Sequence, residues 1–220
     1  SIFGIYYSLS LTNYYTSSSL MTPTQDDGTS KSSLLSSIGG LASITGIQAT
    51  SAITNKTDEA IERINSKVFF EHVINKYPHF LPELMAALEF DHIKKETVFD
   101  ASQYHEKDKK WVREVKYPFQ TIPSIQESHK EFLKAFSIRR DEQSGFVSAS
   151  VVHISPVFAQ NFLEVIIYEI NEITRLKDLS ESKSALLFLQ AESLKNTNKN
   201  IDQSLSALAQ IEMEKQMLSQ

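Results

Sequence analysis

The chain contains no cysteine, and it has only six glycines and six prolines among 220 residues. The absence of cysteine excludes disulfides, thiol catalysis and cysteine-ligated zinc sites. No stretch is long and apolar enough to span a bilayer. Basic residues form no stripe, and the net charge of −5 argues against a nucleic-acid-binding protein. What is left is a folded protein of ordinary composition, with 41% hydrophobic and 22% charged residues.

Glycine and proline are also missing from the C-terminal part of the chain, since the last glycine is Gly145 and the last proline is Pro156. Ser155 is suited to cap a helix that begins at Pro156. The helical pattern then continues for about 40 residues, which corresponds to a helix roughly 60 Å long. A compact domain of this size does not need so long a helix, so the pattern predicts either a protruding stalk or oligomerisation.

An apolar seam runs along the first half of this helix. Its residues repeat at spacings of four and three, as in a coiled coil, and are Ala159, Leu163, Ile166, Ile170 and Ile173. We expect this seam to form the interface between copies of the chain. After an asparagine-rich break at 196–200, a second amphipathic pattern follows at 201–211. Residues 155–220 are therefore predicted to form a long helix and a return helix, paired as a hairpin.

Residues 12–154 are predicted to form a compact unit of helices and strands. A strand is expected to end near Met21, and Thr57 is expected to cap a helix that continues to Pro78. The predicted buried face of that helix consists of Ile61, Ile64, Val68, Phe69 and Val73. A short helix is expected near Pro82.

The second half of this unit carries two clear local signals. Ser124 and Glu127 match the capping-box pattern and predict a helix start. A turn at 141–145 predicts a hairpin whose second strand alternates, with Val147 and Val151 on the same face. Residues 91–123 are expected to be irregular, apart from one short strand at 111–115 and a solvent-exposed turn at 107–110. The predicted class is α+β, a mixed α/β base domain followed by a long protruding helical hairpin.

The sequence matches none of the catalytic motifs that depend on spacing. It has no nucleophile elbow, phosphate loop, paired-histidine zinc motif or dinucleotide-binding glycine pattern. We therefore expect no enzyme activity, no cofactor and no metal site, and favour a binding, scaffolding or length-setting role. His153 is expected to be a junction residue that bonds to the backbone rather than a catalytic base.

Three residues are candidates for contact with a glycan. Trp111, the single tryptophan, could stack on a sugar ring or anchor the irregular region around it. Arg139 and Arg140 lie next to a turn and could hold an anionic glycan, or could simply be surface charge.

Residues 1–11 are apolar and aromatic and carry no charge. They could form an ordinary strand. They could also be the end of a membrane helix, because adjacent tyrosines suit a membrane interface.

Several segments, taken in their order and spacing, are similar to those of one protein family. They are Tyr15–Pro23, Gly39–Ala42, Lys110–Lys116, Pro123–Glu127, and Gly145–Val147 running into His153–Pro156, followed by Ala159, Ile170, Asn171 and Arg175. This set resembles the Wzz-type polysaccharide co-polymerases, the chain-length regulators of bacterial O-antigen and related surface polysaccharides. The last of these segments resembles the start of that family's long periplasmic helix.

The resemblance implies a periplasmic domain at the bacterial inner membrane, with a membrane-proximal α/β base, a tall helical extension and a transmembrane helix on either side. Residues 1–11 would then be the end of the first transmembrane helix. It also implies a ring-like homo-oligomer that acts with a polysaccharide polymerase in the inner membrane and sets polymer length without catalysis. The growing glycan would be a further partner.

The family pattern continues with a returning strand, a proline-rich segment and a second transmembrane helix, so we expect the chain to be truncated before them.

Two other function classes stay open at this point. A periplasmic adaptor of an export machine would also use a helical hairpin, although the lipoyl-like β domain expected beside it is not evident. A glycan-processing enzyme would need paired carboxylates that face one cleft.

Overall fold

A computed structural model describes residues 12–22 and 49–193, together with helical residues at 209, 210, 213 and 217. The helices are α1 (Ala49–Asn65), α2 (Lys67–Lys76), α3 (Phe80–Ala86), α4 (Ile125–Ala135) and α5 (Pro156–Ser193). The strands are β1 (Tyr15–Met21), β2 (Ala87–Asp91), β3 (Glu96–Phe99), β4 (Tyr104–His105), β5 (Lys110–Trp111), β6 (Phe136–Arg140) and β7 (Val147–His153). This mixture of helices and antiparallel strands confirms the predicted α+β class.

The chain divides into two compact units. Among the described residues, the first unit consists of 12–22 and Ile61–Tyr168. The second takes in 49–60 of α1 and the part of α5 that begins at Glu169. The predicted boundary at residue 154 differs from this division, because the first turns of α5 pack within the first unit.

The first unit contains an antiparallel sheet with strand order β1-β7-β6. β7 is central and pairs with both other strands. Val147, Ala149 and Val151 are buried on one face, whereas Ser148 between them is exposed. The predicted alternation and the predicted hairpin around 141–145 are both confirmed.

Phenylalanine rings from four helices and one strand form the core of the first unit, which we call the phenylalanine core. Its members are at most 4% exposed and are Phe70, Phe80, Phe132, Phe136, Phe158 and Phe162. The centroid of the Phe132 ring lies 5.0 Å from that of Phe70 and 5.1 Å from that of Phe136. Each such ring pair stabilises the fold by about 0.5–1.5 kcal/mol beyond the burial of its area. Since the rings come from α2, α3, α4, α5 and β6, the phenylalanine core joins these four helices to the sheet.

Serine hydroxyls cap the starts of α2, α4 and α5. Ser66, Ser124 and Ser155 each accept a hydrogen bond from the backbone N–H three residues further on, at 3.2, 3.3 and 3.2 Å. The caps at Ser124 and Ser155 were predicted, and α5 continues for 38 residues after Ser155. The predicted cap at Thr57 is wrong, because Thr57 lies inside α1 and the helix breaks at Ser66 instead.

The break at Ser66 changes which side chains of α2 are buried. Val68, predicted to be in the core, is 72% exposed, whereas Phe70 is only 1% exposed. Phe69 and Val73 are buried, as predicted. Because a new helix starts after Ser66, the buried face of α2 does not continue the stripe predicted for one long helix.

Residues 91–123 contain more regular structure than predicted. β2 pairs with β3 and β4 pairs with β5, each antiparallel. Of the strand predicted at 111–115, only Trp111 belongs to a strand. The residues of the predicted turn at 107–110 are exposed, as expected.

In the second unit, ion pairs join α1 to α5. Lys56 Nζ lies 3.0 Å from Asp178 Oδ1, and Lys177 pairs with Glu59. Ser182 of α5 is 1% exposed. Residues 1–11, the segment Gly39–Ala42, the break at 196–200 and most of the return helix lie outside the described residues.

Alanine substitutions at Phe70 and at Val68 should distinguish the burial that the structure shows for α2 from the burial predicted from the sequence. Phe70→Ala should lower the free energy of unfolding by about 3–5 kcal/mol, because it opens a cavity in the phenylalanine core. Val68→Ala, in the same helix, should change it by less than about 0.5 kcal/mol. Chemical denaturation followed by circular dichroism measures both values. Similar losses in the two variants would contradict the placement of α2.

Candidate functional site

Trp111, the first candidate for glycan contact, lies in the short β4–β5 ladder. Its ring centroid is 5.1 Å from that of Tyr104, its partner across the ladder, and the side chain is half-buried. Tyr104 in turn packs 5.3 Å from Phe99. Trp111 therefore anchors this part of the chain and keeps part of its surface accessible, so both roles considered from the sequence are compatible with its position.

The two arginine candidates lie on β6 of the three-stranded sheet. Consecutive side chains of a strand point to opposite faces, and here Arg139 is exposed whereas Arg140 is half-buried. Trp111 belongs to a different sheet. The structure therefore does not join the three predicted residues in one ladder, and their contact with a glycan stays a prediction.

The apolar seam predicted to join copies of the chain is largely buried within the chain itself. Ala159, Leu163, Ile166 and Ile170 are 0%, 3%, 1% and 6% exposed, whereas Ile173 is partly exposed. Apolar contact stabilises by removing surface from water, and a side chain that is already covered adds little further area to an interface. The role of the seam between copies stays a prediction, and Ile173 is its most accessible member.

Arg113 anchors the segment that follows β5. Its side chain is 8% exposed, and its two terminal nitrogens donate to the two carboxylate oxygens of Glu127 at 2.5 and 2.7 Å. Nε donates to the carbonyl oxygens of Gln120 and Thr121 at 3.1 and 2.9 Å. This planar fork fits the carboxylate at two points. Arg113 thereby clamps residues 114–122, the 114–122 loop, against the start of α4.

Sequence reasoning assigned Glu127 to the capping box and missed its ion pair. The backbone N–H of Glu127 does bond to Ser124, but its carboxylate turns to Arg113. Hydrogen bonding from Arg113 lowers the pKa of Glu127, so the pair is ionised at neutral pH. No sequence pattern at this spacing signals such a pair, because the two residues lie on different elements.

A shallow groove of about 530 Å³ lies beside the clamp. It is lined by Ala101, Ser102, Gln103, Val112, Arg113, Glu114 and Val115. Ser102 and Gln103 are hydrogen-bonded to Asp100, and Arg113 is held by Glu127. Glu114 is the ionisable lining residue that is not part of these contacts. The groove therefore offers a surface for binding rather than a matched acid and base.

His153 lies at the junction between β7 and α5, where the sequence suggested a structural role. Its Nε2 lies 3.1 Å from the carbonyl oxygen of Glu83, and its Nδ1 accepts from the Ser155 N–H at 3.1 Å. The ring also packs 4.1 Å from the ring of Phe158. Burial lowers the pKa of His153 to about 4. The prediction of a junction residue that bonds to the backbone is confirmed.

The described part of the chain holds neither a metal-binding cluster nor a helix suited to cross a membrane. Among residues 12–22 and 49–193, no three or more histidine, aspartate or glutamate side chains are grouped so that they could hold a metal ion. Over the same described ranges, no helix is both long and apolar enough to cross a membrane. The candidate site consists of the Arg113 clamp, the adjoining groove and the 114–122 loop.

Replacing Glu127 by glutamine should destabilise the protein by about 2–4 kcal/mol, because it leaves the buried Arg113 charge without its counter-ion. Denaturant titration at neutral pH measures this loss. Glu131→Gln is a matched control on the same helix, where a 41% exposed carboxylate pairs with Lys134. It should cost less than about 1 kcal/mol. Equal losses would contradict the clamp.

The free energy of unfolding should decrease as the pH is lowered, because of His153. The pKa of this imidazole is about 4 in the folded chain against 6.5 ordinarily, so between these values the unfolded state binds the proton. The contribution of neutral His153 to the free energy of unfolding is fully present above pH 6.5. It decreases as pH falls toward 4, by up to about 3 kcal/mol.

His153→Gln should flatten this part of the pH dependence, because glutamine does not titrate. Denaturation curves measured across this pH range provide the comparison. A wild-type slope in His153→Gln would refute the assignment.

Comparison with known proteins leaves the function to be inferred from the chain's own residues. No model of a protein family matches the chain, and no curated protein matches it. The similarity to the Wzz-type co-polymerases therefore stays a prediction, carried by the segments given above.

Proposed function

We propose that this protein is a non-catalytic regulator of the chain length of a bacterial surface polysaccharide such as O-antigen. It acts in the periplasm as a homo-oligomeric, ring-like scaffold, together with a polysaccharide polymerase of the inner membrane. The observation that carries the proposal is the ordered set of segments that resembles the Wzz-type family. In this proposal, residues 12–154 lie next to the membrane and the helices after Ser155 form the protruding hairpin.

The local structure around the most specific of these segments supports the proposal. The β6–β7 hairpin leads to the Ser155 cap, and a helix of 38 residues follows directly. His153 and Ser155 bond to each other at this junction, which ties the end of the strand to the start of the helix. Strand, cap and long helix thus follow one another as the resemblance requires.

The chemistry of the buried polar residues supports a scaffold rather than a catalyst. Arg113 holds a loop in place, and His153 is neutral and bonded to the backbone on both ring nitrogens. Catalytic acids and bases need a pKa suited to the task and access to a substrate. His153 has a pKa of about 4 and is 7% exposed, so it meets neither condition.

We place the contacts between copies on an exposed stripe of α5, formed by Ile173, Leu176 and Leu187. Leu176 and Leu187 are 54% and 60% exposed, and Ile173, a member of the predicted seam, is partly exposed. Spacings of three and eleven residues bring all three to the same side of a helix. Exposed apolar side chains aligned in this way are suited to packing against a second helix.

The double variant Leu176→Glu with Leu187→Glu should weaken assembly by at least about a hundredfold, because each substitution places a charge in an apolar contact. Light scattering measures the oligomer mass, and gel electrophoresis of the polysaccharide measures modal length in cells that produce the altered protein. We expect a smaller particle and a shifted or lost modal length.

A matched control is the pair Leu88→Glu and Leu133→Glu, which alters exposed leucines on β2 and α4. This control should keep both the oligomer and the polymer length of the wild type. Unchanged mass together with unchanged modal length in the Leu176 and Leu187 variant would refute the proposed scaffold.

A further inference from the structure

The 114–122 loop exposes an unusual concentration of large apolar side chains. Val115, Tyr117, Phe119 and Ile122 are 39%, 97%, 56% and 61% exposed. Isolated apolar residues on a surface need no explanation, but several within one short loop indicate contact with a protein or a membrane.

The shape of this loop is set by several hydrogen bonds. Arg113 donates from Nε and from Nη2 to the carbonyl oxygen of Gln120, at 3.1 and 2.7 Å, and from Nε to that of Thr121. Within the loop, the Phe119 N–H donates to the Lys116 carbonyl oxygen at 3.0 Å. These hydrogen bonds close the base of the loop and form a turn in its middle. The apolar side chains are therefore exposed from a backbone that hydrogen bonds hold in place.

The charge around the loop is opposite in sign to that of the whole chain. Residues 107–122 carry five basic and two acidic side chains, a formal charge of +3, whereas the chain as a whole carries −5. The basic residues are Lys107, Lys109, Lys110, Arg113 and Lys116. All four lysines are exposed, whereas Arg113 is paired with Glu127. Within the loop Glu114 balances Lys116, so the local positive charge beside the exposed apolar groups comes from the exposed lysines of the preceding turn.

This combination favours a lipid surface over a protein partner. Lysine is depleted at the centre of protein interfaces, where aromatic side chains are enriched. At membrane interfaces, by contrast, tyrosine and apolar side chains enter the headgroup region while lysines contact anionic lipids. We propose that the 114–122 loop docks on an anionic bilayer, with Tyr117, Phe119 and Ile122 in the headgroup region and Lys116 against lipid phosphates. This docking goes beyond the proposed function and does not depend on it.

Co-sedimentation of the chain with lipid vesicles tests the docking. At low ionic strength, we expect binding to phosphatidylcholine vesicles that contain phosphatidylglycerol. Binding to vesicles of phosphatidylcholine alone should be at least about tenfold weaker, because the lysines then lack their partners. Trp111 is the single tryptophan and lies just before the clamped segment. Its half-buried ring should report binding through a blue shift of its emission.

The double variant Tyr117→Ser with Phe119→Ser should bind the anionic vesicles at least about tenfold more weakly, because it removes two inserting rings. Both side chains are exposed, so its thermal unfolding midpoint should match that of the wild type. The control Tyr168→Ser with Phe146→Ser removes rings that are 55% and 39% exposed elsewhere in the chain. It should bind vesicles as the wild type does.

Three results would overturn the docking. The first is failure of the wild-type chain to sediment with the anionic vesicles at low ionic strength, and the second is an equal loss of binding in both double variants. The third is loss of self-association, instead of lipid binding, in the Tyr117 and Phe119 variant, which would assign the loop to a protein contact. The first two results do not bear on the polysaccharide proposal, which is tested by oligomer mass and polymer length, whereas the third would move the proposed contact between copies from the α5 stripe to the loop.

Discussion

The packing of Phe162 against Phe80 and Phe132 is the contact on which the first unit depends most. Phe162 is 0% exposed, and its ring centroid lies 5.0 Å from that of Phe80 and 5.9 Å from that of Phe132. Through these rings, the second turn of α5 is joined to α3 and α4. Because a core is close-packed, the start of α5 cannot move without repacking the helices it touches. The hairpin, the cap and the first turns of the helix therefore behave as one piece.

This packing decides which surfaces are left for the proposed assembly. A 4-3 pattern of apolar residues identifies the buried face of a helix, but it does not reveal which surface covers that face. In the first turns of α5, Ala159, Leu163 and Ile166 are covered within the chain, so the pattern there is explained by the fold. Contacts between copies then need side chains that the chain leaves uncovered. Such residues follow further along α5, at Leu176 and Leu187.

Local signals predicted the structure well where one residue type decides the backbone, and poorly elsewhere. Ser124 and Ser155 were recognised as caps because a hydroxyl at a helix start satisfies an N–H directly. The hairpin turn ending at Lys95 was missed, because lysine adopts there a positive φ angle of 58° that usually indicates glycine or asparagine. At 107–110 the exposed turn was predicted, but the pairing of β4 with β5 on either side of it was not. The clamp of Arg113 was missed for another reason. It joins parts of the chain that only the tertiary fold brings together, whereas the residues predicted for glycan contact were Trp111, Arg139 and Arg140.

The clamp also explains how an apolar loop can stay exposed. Left to itself, a loop that carries Tyr117 and Phe119 would gain by folding these rings against the rest of the chain, since burial removes their surface from water. A buried ion pair seldom stabilises a fold more than an apolar pair of the same size would. Its distinct contribution is geometric, because a guanidinium can hold a carboxylate and backbone carbonyls at the same time. Arg113 uses its side chain in this way, and we infer that its main effect is to hold the 114–122 loop in a conformation that hydrophobic burial alone would not select.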